Sequence, residues 1–210
     1  EKEVRDSGYD VVVSHNIKPD KPEYYHGQEM VIKAIADRRT EKILGVQIVV
    51  FEGVDKRIDV FVTAMTAGMK ASDLFHLDLA YAPPFATTKD PVMYTGMILD
   101  NAINRGRELI TADALANAEP DSVQIVDTRV SKQYEEGHVE RAVSMQHASV
   151  RSALNQLDKE KPVVTYCNKG TTGNAVQNIL INHGFKRVYN VSGGFKQYQI
   201  NKKRSKKKGN

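Results

Sequence analysis

Four short apolar runs in the second half of the chain, VQIVDTR (123–129), AVSMQ (142–146), VVTYC (163–167) and RVYNVSG (187–193), are separated by stretches of helical spacing: KQYEEG, VRSALNQLD and TGNAVQNILINHGF. A further helical stretch, ADALANA, stands ahead of the first run. Strands alternating with helices build βαβ units on a parallel sheet. This second half therefore reads as an α/β domain. The first half follows a different pattern. Its opening residues predict the end of a helix, a turn at Gly8 and a strand over Tyr9–Ser14. A hairpin follows, with strands near 29–37 and 43–51 on either side of DRRTEK. Apolar residues at Ile58, Phe61, Val62, Met65 and Met69 then recur at helical spacing, and KASDLFHL opens a second short helix. The proline-containing loop AYAPPFATTKDP precedes another helix, VMYTGMILDNAINRG. The chain thus predicts an α+β domain over 1–107, an α/β domain over 108–200, and a basic disordered tail over 201–210.

The net charge of +4 is concentrated in that tail, NKKRSKKKGN, whose six Lys and Arg leave the rest of the chain at −2. Such a run is usually a solvated segment. No aromatic platform or reading motif accompanies it, so nucleic acid is not an expected partner. No apolar run approaches the ~18 residues of a membrane helix, and the single cysteine forbids an internal disulfide. The expectation is a cytoplasmic protein with a reduced thiol and no membrane partner. The histidines His15, His26, His76, His147 and His183 show no ligand spacing, which predicts no metal site. Met65, Met69, Met93 and Met97 read as core or interface.

That single cysteine, Cys167, stands at the end of VVTYC and before NKGTTG. The carboxyl end of a parallel strand is where α/β sheets place their ligands. Asn168, Lys169, Gly170, Thr171, Thr172 and Gly173 can turn their N–H groups inward as an anion-binding nest, aided by the positive end of the next helix. A thiol there favours the thiolate, which is the nucleophilic form. A free cysteine is also commonly a small buried hydrophobe. Local chemistry alone leaves both readings open.

VQIVDTRVSKQYEEGHVERAVSM, KPVVTYCNKGTTG and HGFKRVYNVSGGFKQY together resemble a rhodanese domain across residues 109–200. The resemblance implies a rhodanese-like fold with a central parallel sheet. It also implies that Cys167 accepts sulfane sulfur as a persulfide and passes it to a thiophilic acceptor, with residues 168–173 cradling the sulfur. Arg129 becomes a candidate for substrate binding at the pocket or for a structural role, and Asp127 and His138 become candidate braces. Many rhodanese loops carry an Arg after the glycine, where this one has Thr171-Thr172. A related phosphatase would need Arg where Gly173 stands, so phosphatase activity is not expected.

GVQIVVFEGVDKRIDVFVTAM and LDLAYAPPFATTKDPVMYTG resemble the dimerisation domain of flavin-dependent pyridine nucleotide-disulfide reductases, over about residues 1–105. That domain fused directly to a rhodanese resembles the coenzyme A-disulfide reductase branch, including forms acting on CoA persulfide or polysulfide. The chain then reads as the carboxyl-terminal portion of such an enzyme. FAD, NAD(P)H and coenzyme A are implied for the parent. No cofactor is expected in this chain alone, since it carries no GxGxxG fingerprint. The resemblance also implies a homodimer, a sulfane-sulfur donor and a thiol acceptor such as CoA, with Tyr24 and Tyr81 as catalytic residues beside the CoA thiol. A non-catalytic module that dimerises and binds or senses sulfur is the alternative.

Overall fold

The computed structural model describes residues 1–119 and 121–208, and it divides into two compact units, Glu1–Gly106 and Arg107–Asn210. The first unit opens with α1 (Lys2–Asp6) and three strands, β1 (Val11–Pro19), β2 (Glu29–Asp37) and β3 (Ile43–Val49). They form an antiparallel sheet in the order β1-β2-β3, with Ile17 opposite Val31 and Ile32 opposite Ile48. β1 extends well past Ser14, where the sequence pattern placed its end. Its polar residues are the reason. Ser14 and Asn16 are buried, and the Asn16 amide donates to Pro91 O at 2.9 Å and to Thr95 Oγ1 at 3.1 Å. An alternation that buries polar side chains does not read as a strand from hydropathy.

Two helices cover this sheet, α2 (Val54–Thr66) and α3 (Pro91–Asn104). Met30, Ile32, Phe61, Leu74 and Val92 are wholly buried between them. KASDLFHL contributes one 3₁₀ turn, Asp73–His76, rather than an α-helix. The aspartate before the last helix, Asp90, accepts from Val92 N at 3.0 Å as its N-cap, with Pro91 at the first helical position. Arg57 is buried beside it, binding Asp90 Oδ2 at 3.0 Å and Asp20 O at 2.9 Å. One guanidinium thus ties α2 to the cap of α3 and to the turn after β1.

The second unit carries β4 (Leu109–Ile110), α4 (Ala112–Ala116), β5 (Gln124–Asp127), α5 (Ser131–Glu136), β6 (Val143–Ser144), β7 (Val163–Tyr166), α6 (Thr171–Asn182), β8 (Val188–Val191) and α7 (Gly194–Lys208). The five strands are parallel, in the order β4-β8-β7-β5-β6. Successive residues of the central strand serve opposite faces. Val163 packs with Val126, Val176, Leu180 and Val188, whereas Val164 and Tyr166 pack with Ile125, Leu115 and Val191. Burial on both faces explains the continuous apolar runs.

Three features differ from the sequence pattern. β4 is only two residues long and falls below any periodicity signal. VRSALNQLD forms a 3₁₀ segment, Val150–Gln156. The stretch assigned to a disordered tail is helical through Lys208, while residues 209 and 210 lie outside the described residues. The helix is anchored by its first turns, where Phe195 and Tyr198 pack on the core holding Tyr166. Lys and Arg are good helix formers, so a helix already nucleated propagates through them.

Candidate active site around Cys167

β7 ends at Tyr166 because the chain must leave the sheet there. Asp127 on β5 is the last partner of Tyr166, and Thr128 N and Oγ1 both donate to Tyr166 O at 2.9 Å. Cys167 is therefore the first residue beyond the sheet, and it is 5% exposed. The next residues curl back over it. Gly170 N–H donates to Cys167 Sγ at 3.2 Å. Gly170 adopts a φ of +100° as the N-cap of α6, a conformation that glycine reaches without strain. The N-cap is a glycine, so no N-cap side chain accepts from the first N–H groups of the helix.

Two neighbours shape the loop from outside. Phe195 N–H donates to Cys167 O at 2.8 Å and Lys196 N–H to Asn168 O at 3.1 Å, both from the first turn of α7. Across a trans peptide the C=O and N–H point opposite ways, so drawing these carbonyls toward α7 turns the N–H groups of Asn168 and Lys169 away from it. Gly193 and Gly194, at φ +75° and +61°, let α7 approach this closely, and a Cβ on Gly194 would overlap Cys167 O. On the other side Asn190 Nδ2 donates to Gly170 O at 3.0 Å. A Cβ on Gly173 would overlap Asn190 Oδ1 and come within 3.1 Å of Tyr166 Cα. The loop thus holds the thiol against the Gly170 amide, with the exposed side chains of Lys169, Thr171 and Thr172 in it. The Asn168 side chain donates to Gln133 on α5 at 3.2 Å.

Beneath the loop lies a buried polar network. Tyr166 OH donates to Asp127 Oδ2 at 2.7 Å and accepts from Val139 N at 3.0 Å. Burial, with the neighbouring Asp127 carboxylate, pushes the Tyr166 phenol well above its ordinary value. Arg129, read as a substrate-binding candidate, is 7% exposed and committed elsewhere. It binds Asp127 with Nε at 2.9 Å and Nη2 at 2.6 Å, binds Gly137 O at 2.7 Å, and lies 4.0 Å over the Phe195 ring. Burial opposes its charge, but the Asp127 partner outweighs burial and holds the guanidinium more firmly protonated. Its geometry is that of a brace, carried to the cysteine loop by Phe195. His138 stacks on Tyr134 at 3.9 Å and bonds Tyr134 O at 2.9 Å through Nδ1, bracing the loop after α5.

Residues 168–173 are therefore brought together around Cys167, whereas Tyr24 and Tyr81 belong to the first unit. Tyr24 lies in the 3₁₀ turn Glu23–Tyr25, 72% exposed, its ring 4.9 Å from that of Tyr25. Tyr81 is 47% exposed in the proline-containing loop. The sequence reading passed over Asn190, Tyr166 and the Gly193-Gly194 pair. Their only signal was position inside VVTYC and VYNVSGG, because the partners of Asn190 and Tyr166 and the close approach at Gly193-Gly194 are brought together only by folding.

Comparison with known proteins agrees with this geometry. Residues 111–201 match the rhodanese-like domain, and residues 1–91 match the pyridine nucleotide-disulphide oxidoreductase dimerisation domain. The chain is 36% identical over 77 residues to the thiosulfate sulfurtransferase GlpE of Coxiella burnetii, covering 37% of this chain and 72% of that protein. It is 41% identical over 100 residues to the NAD(P)H sulfur oxidoreductase (CoA-dependent) of Pyrococcus furiosus, covering 47% of this chain but 22% of that one. The crystal structure of reduced Bacillus anthracis CoADR-RHD matches with a TM-score of 0.88 and 28% identity, over 94% of this chain and 36% of that one. The chain thus spans about a third of the length of that structure and about a fifth of the Pyrococcus relative. With a cysteine in an amide loop on a five-stranded parallel sheet, and a sulfurtransferase matched over most of its length, the chain belongs to the rhodanese-like family, its rhodanese-like domain following a pyridine nucleotide-disulphide oxidoreductase dimerisation domain.

Proposed function

We propose that the second unit is a sulfurtransferase that carries sulfane sulfur on Cys167. The observation that carries this reading is the Gly170 N–H to Cys167 Sγ bond at 3.2 Å inside a loop whose carbonyls are bound from outside. Such a loop offers N–H donors to a terminal sulfur anion. The Cys167 thiolate attacks the outer sulfur of a donor, the donor S–S bond breaks, and its electron pair departs on sulfite or a shortened polysulfide. The persulfide anion left on Cys167 is held by the amides of residues 168–173. An acceptor thiolate then attacks the terminal sulfur and releases Cys167 as thiolate. Lys169 adds positive charge at the mouth, which raises the local concentration of anionic donors.

In a protein built like the Bacillus anthracis and Pyrococcus relatives, this transfer would supply CoA persulfide or polysulfide to a reductase centre. FAD and NAD(P)H would be held at that centre. Tyr24 and Tyr81 would serve that centre by donating a phenolic proton to a leaving thiolate, their exposure suiting them to meet another surface. The first unit would form the homodimer through its exposed apolar residues, which include Val49 at 71% and Phe51 at 89%.

The test is the mass of the protein after exposure to polysulfide. The wild type gains sulfur, cyanide or CoA removes it, and Cys167→Ser gains none while keeping its fold. A wild type that gains no sulfur overturns the reading in favour of a non-catalytic module, and a Cys167→Ser variant that still transfers sulfur to cyanide overturns Cys167 as the carrier.

A further inference from the structure

Asn190 is buried on β8, 4% exposed, yet its Oδ1 has no hydrogen-bond partner. A buried acceptor without a partner is costly, so what the amide contributes here comes from its other end. That other end, Nδ2, donates to Gly170 O at 3.0 Å. Gly170 O also accepts the first hydrogen bond of α6, from Asn174 N at 2.9 Å. The two donors fix the Gly170–Thr171 peptide with its carbonyl directed toward α6 and β8, so the Thr171 N–H is directed the opposite way. The preceding peptide, held by Gly170's φ of +100°, gives its N–H to Cys167 Sγ.

Asn190 sets a second condition. Its Oδ1 occupies the place a Cβ on residue 173 would take, and that residue would also approach Tyr166 Cα and Cys167 N at 3.1 and 3.2 Å. Helix α6 can therefore start this close to the cysteine only with glycine there. β8 in turn holds Asn190 in the sheet, paired with Leu109 on β4 and Thr165 on β7.

We infer that Asn190 is a positioning residue of the sulfur cradle, locking the Gly170 peptide from behind so that the amides at the start of α6 hold an anionic sulfur group at Cys167. This deepens the sulfurtransferase reading and rests on it for the identity of the anion. It does not rest on it for the geometry.

The test uses the full chain and two alkylating probes of Cys167, iodoacetate and iodoacetamide. Both consume the thiolate, so the ratio of their rates cancels its abundance and reports how well the loop holds an anion. Asn190→Leu, with the same branched shape but larger and without a donor, lowers the iodoacetate-to-iodoacetamide ratio about 10-fold, within the range for residues that orient a site from behind. Asn190→Asp lowers it further, because a carboxylate repels both Gly170 O and the incoming anion. Asn190→Ser serves as the small substitute should the other two fail to fold, with the same fall expected. Sulfur transfer from thiosulfate to cyanide falls in parallel. A folded variant whose ratio stays within about twofold of the wild type overturns the inference, since one lost contact between fixed groups is ordinarily worth more than that. A wild type that transfers no sulfur while the ratio still falls in the variants overturns the sulfurtransferase reading and leaves the positioning role standing.

Discussion

The hydroxyl of Tyr166 reaches Asp127 Oδ2 at 2.7 Å while its backbone leads directly into Cys167. The same Asp127 binds Arg129, which lies over Phe195, and Phe195 N–H holds Cys167 O. A buried polar network therefore supports the cysteine from both sides of the peptide chain.

Tyr166→Phe tests that support through pH. It removes the bond to Asp127 and leaves Val139 N without its acceptor, which costs about 1–3 kcal/mol at neutral pH. The wild-type phenol titrates above its unfolded value near ~10. Below that pH both states are protonated and the stabilisation is fully present; above it the unfolded chain releases the proton first, so stability falls as pH rises. Thermal unfolding from pH 8 to 11 should show this alkaline decline in the wild type and a smaller one in Tyr166→Phe. Equal declines would mean that Tyr166 is not the group responsible.

Asp127→Ala leaves the Arg129 guanidinium buried without its counter-charge. Removing one member of a buried pair costs about 3–5 kcal/mol. Denaturant unfolding of the second unit should show a loss of that size. The sulfur-transfer rate of the folded fraction should also fall, since Phe195 and the Cys167 carbonyl lose their backing. A loss under about 1 kcal/mol would show that Arg129 reaches water when unpaired.

The parallel sheet and the place of Cys167 at its carboxyl end were legible because apolar runs buried on both faces and a glycine-rich turn leave marks in one sequence. Arg129 was legible as a candidate, but not which way it faces. Whether it faces the pocket or Asp127 depends on a side-chain torsion that no spacing encodes. α7 escaped for a related reason: composition describes its basic half, but its helicity is set by Phe195 and Tyr198 packing one turn earlier. Asn190 and Gly193-Gly194 act on backbone carbonyls brought near by folding, at separations no local pattern spans.

Gly173→Ala should be poorly tolerated although it lies in a helix, where alanine is normally the better residue. The added methyl overlaps Asn190 Oδ1 and crowds Tyr166 Cα and Cys167 N, two of which are backbone atoms that cannot rotate away. The expected loss is about 1–3 kcal/mol, typical of overpacking. Double substitution with Asn190→Ala should recover part of it, and additive losses would place the clash elsewhere.

Thr172→Arg tests the loop's choice of donor. Thr172 is exposed in the first turn of α6, and Arg has the better helix propensity, so the fold should accept the change. Thiosulfate shares its negative charge between its terminal sulfur and its sulfonate oxygens, and a planar guanidinium can bind those oxygens with two parallel N–H donors. Polysulfide has no such oxygens and gains only the charge. Hydrogen bonds to charged groups contribute about 1.5–3 kcal/mol, so kcat/KM for thiosulfate should rise about 10- to 100-fold. The rise for polysulfide should be several times smaller. Thr172→Lys, a point charge without the fork, should fall between the wild type and the Arg variant for thiosulfate. If Lys and Arg raise both donors equally, the effect is bulk attraction at the loop mouth. If neither changes thiosulfate turnover, position 172 does not face the donor in this loop.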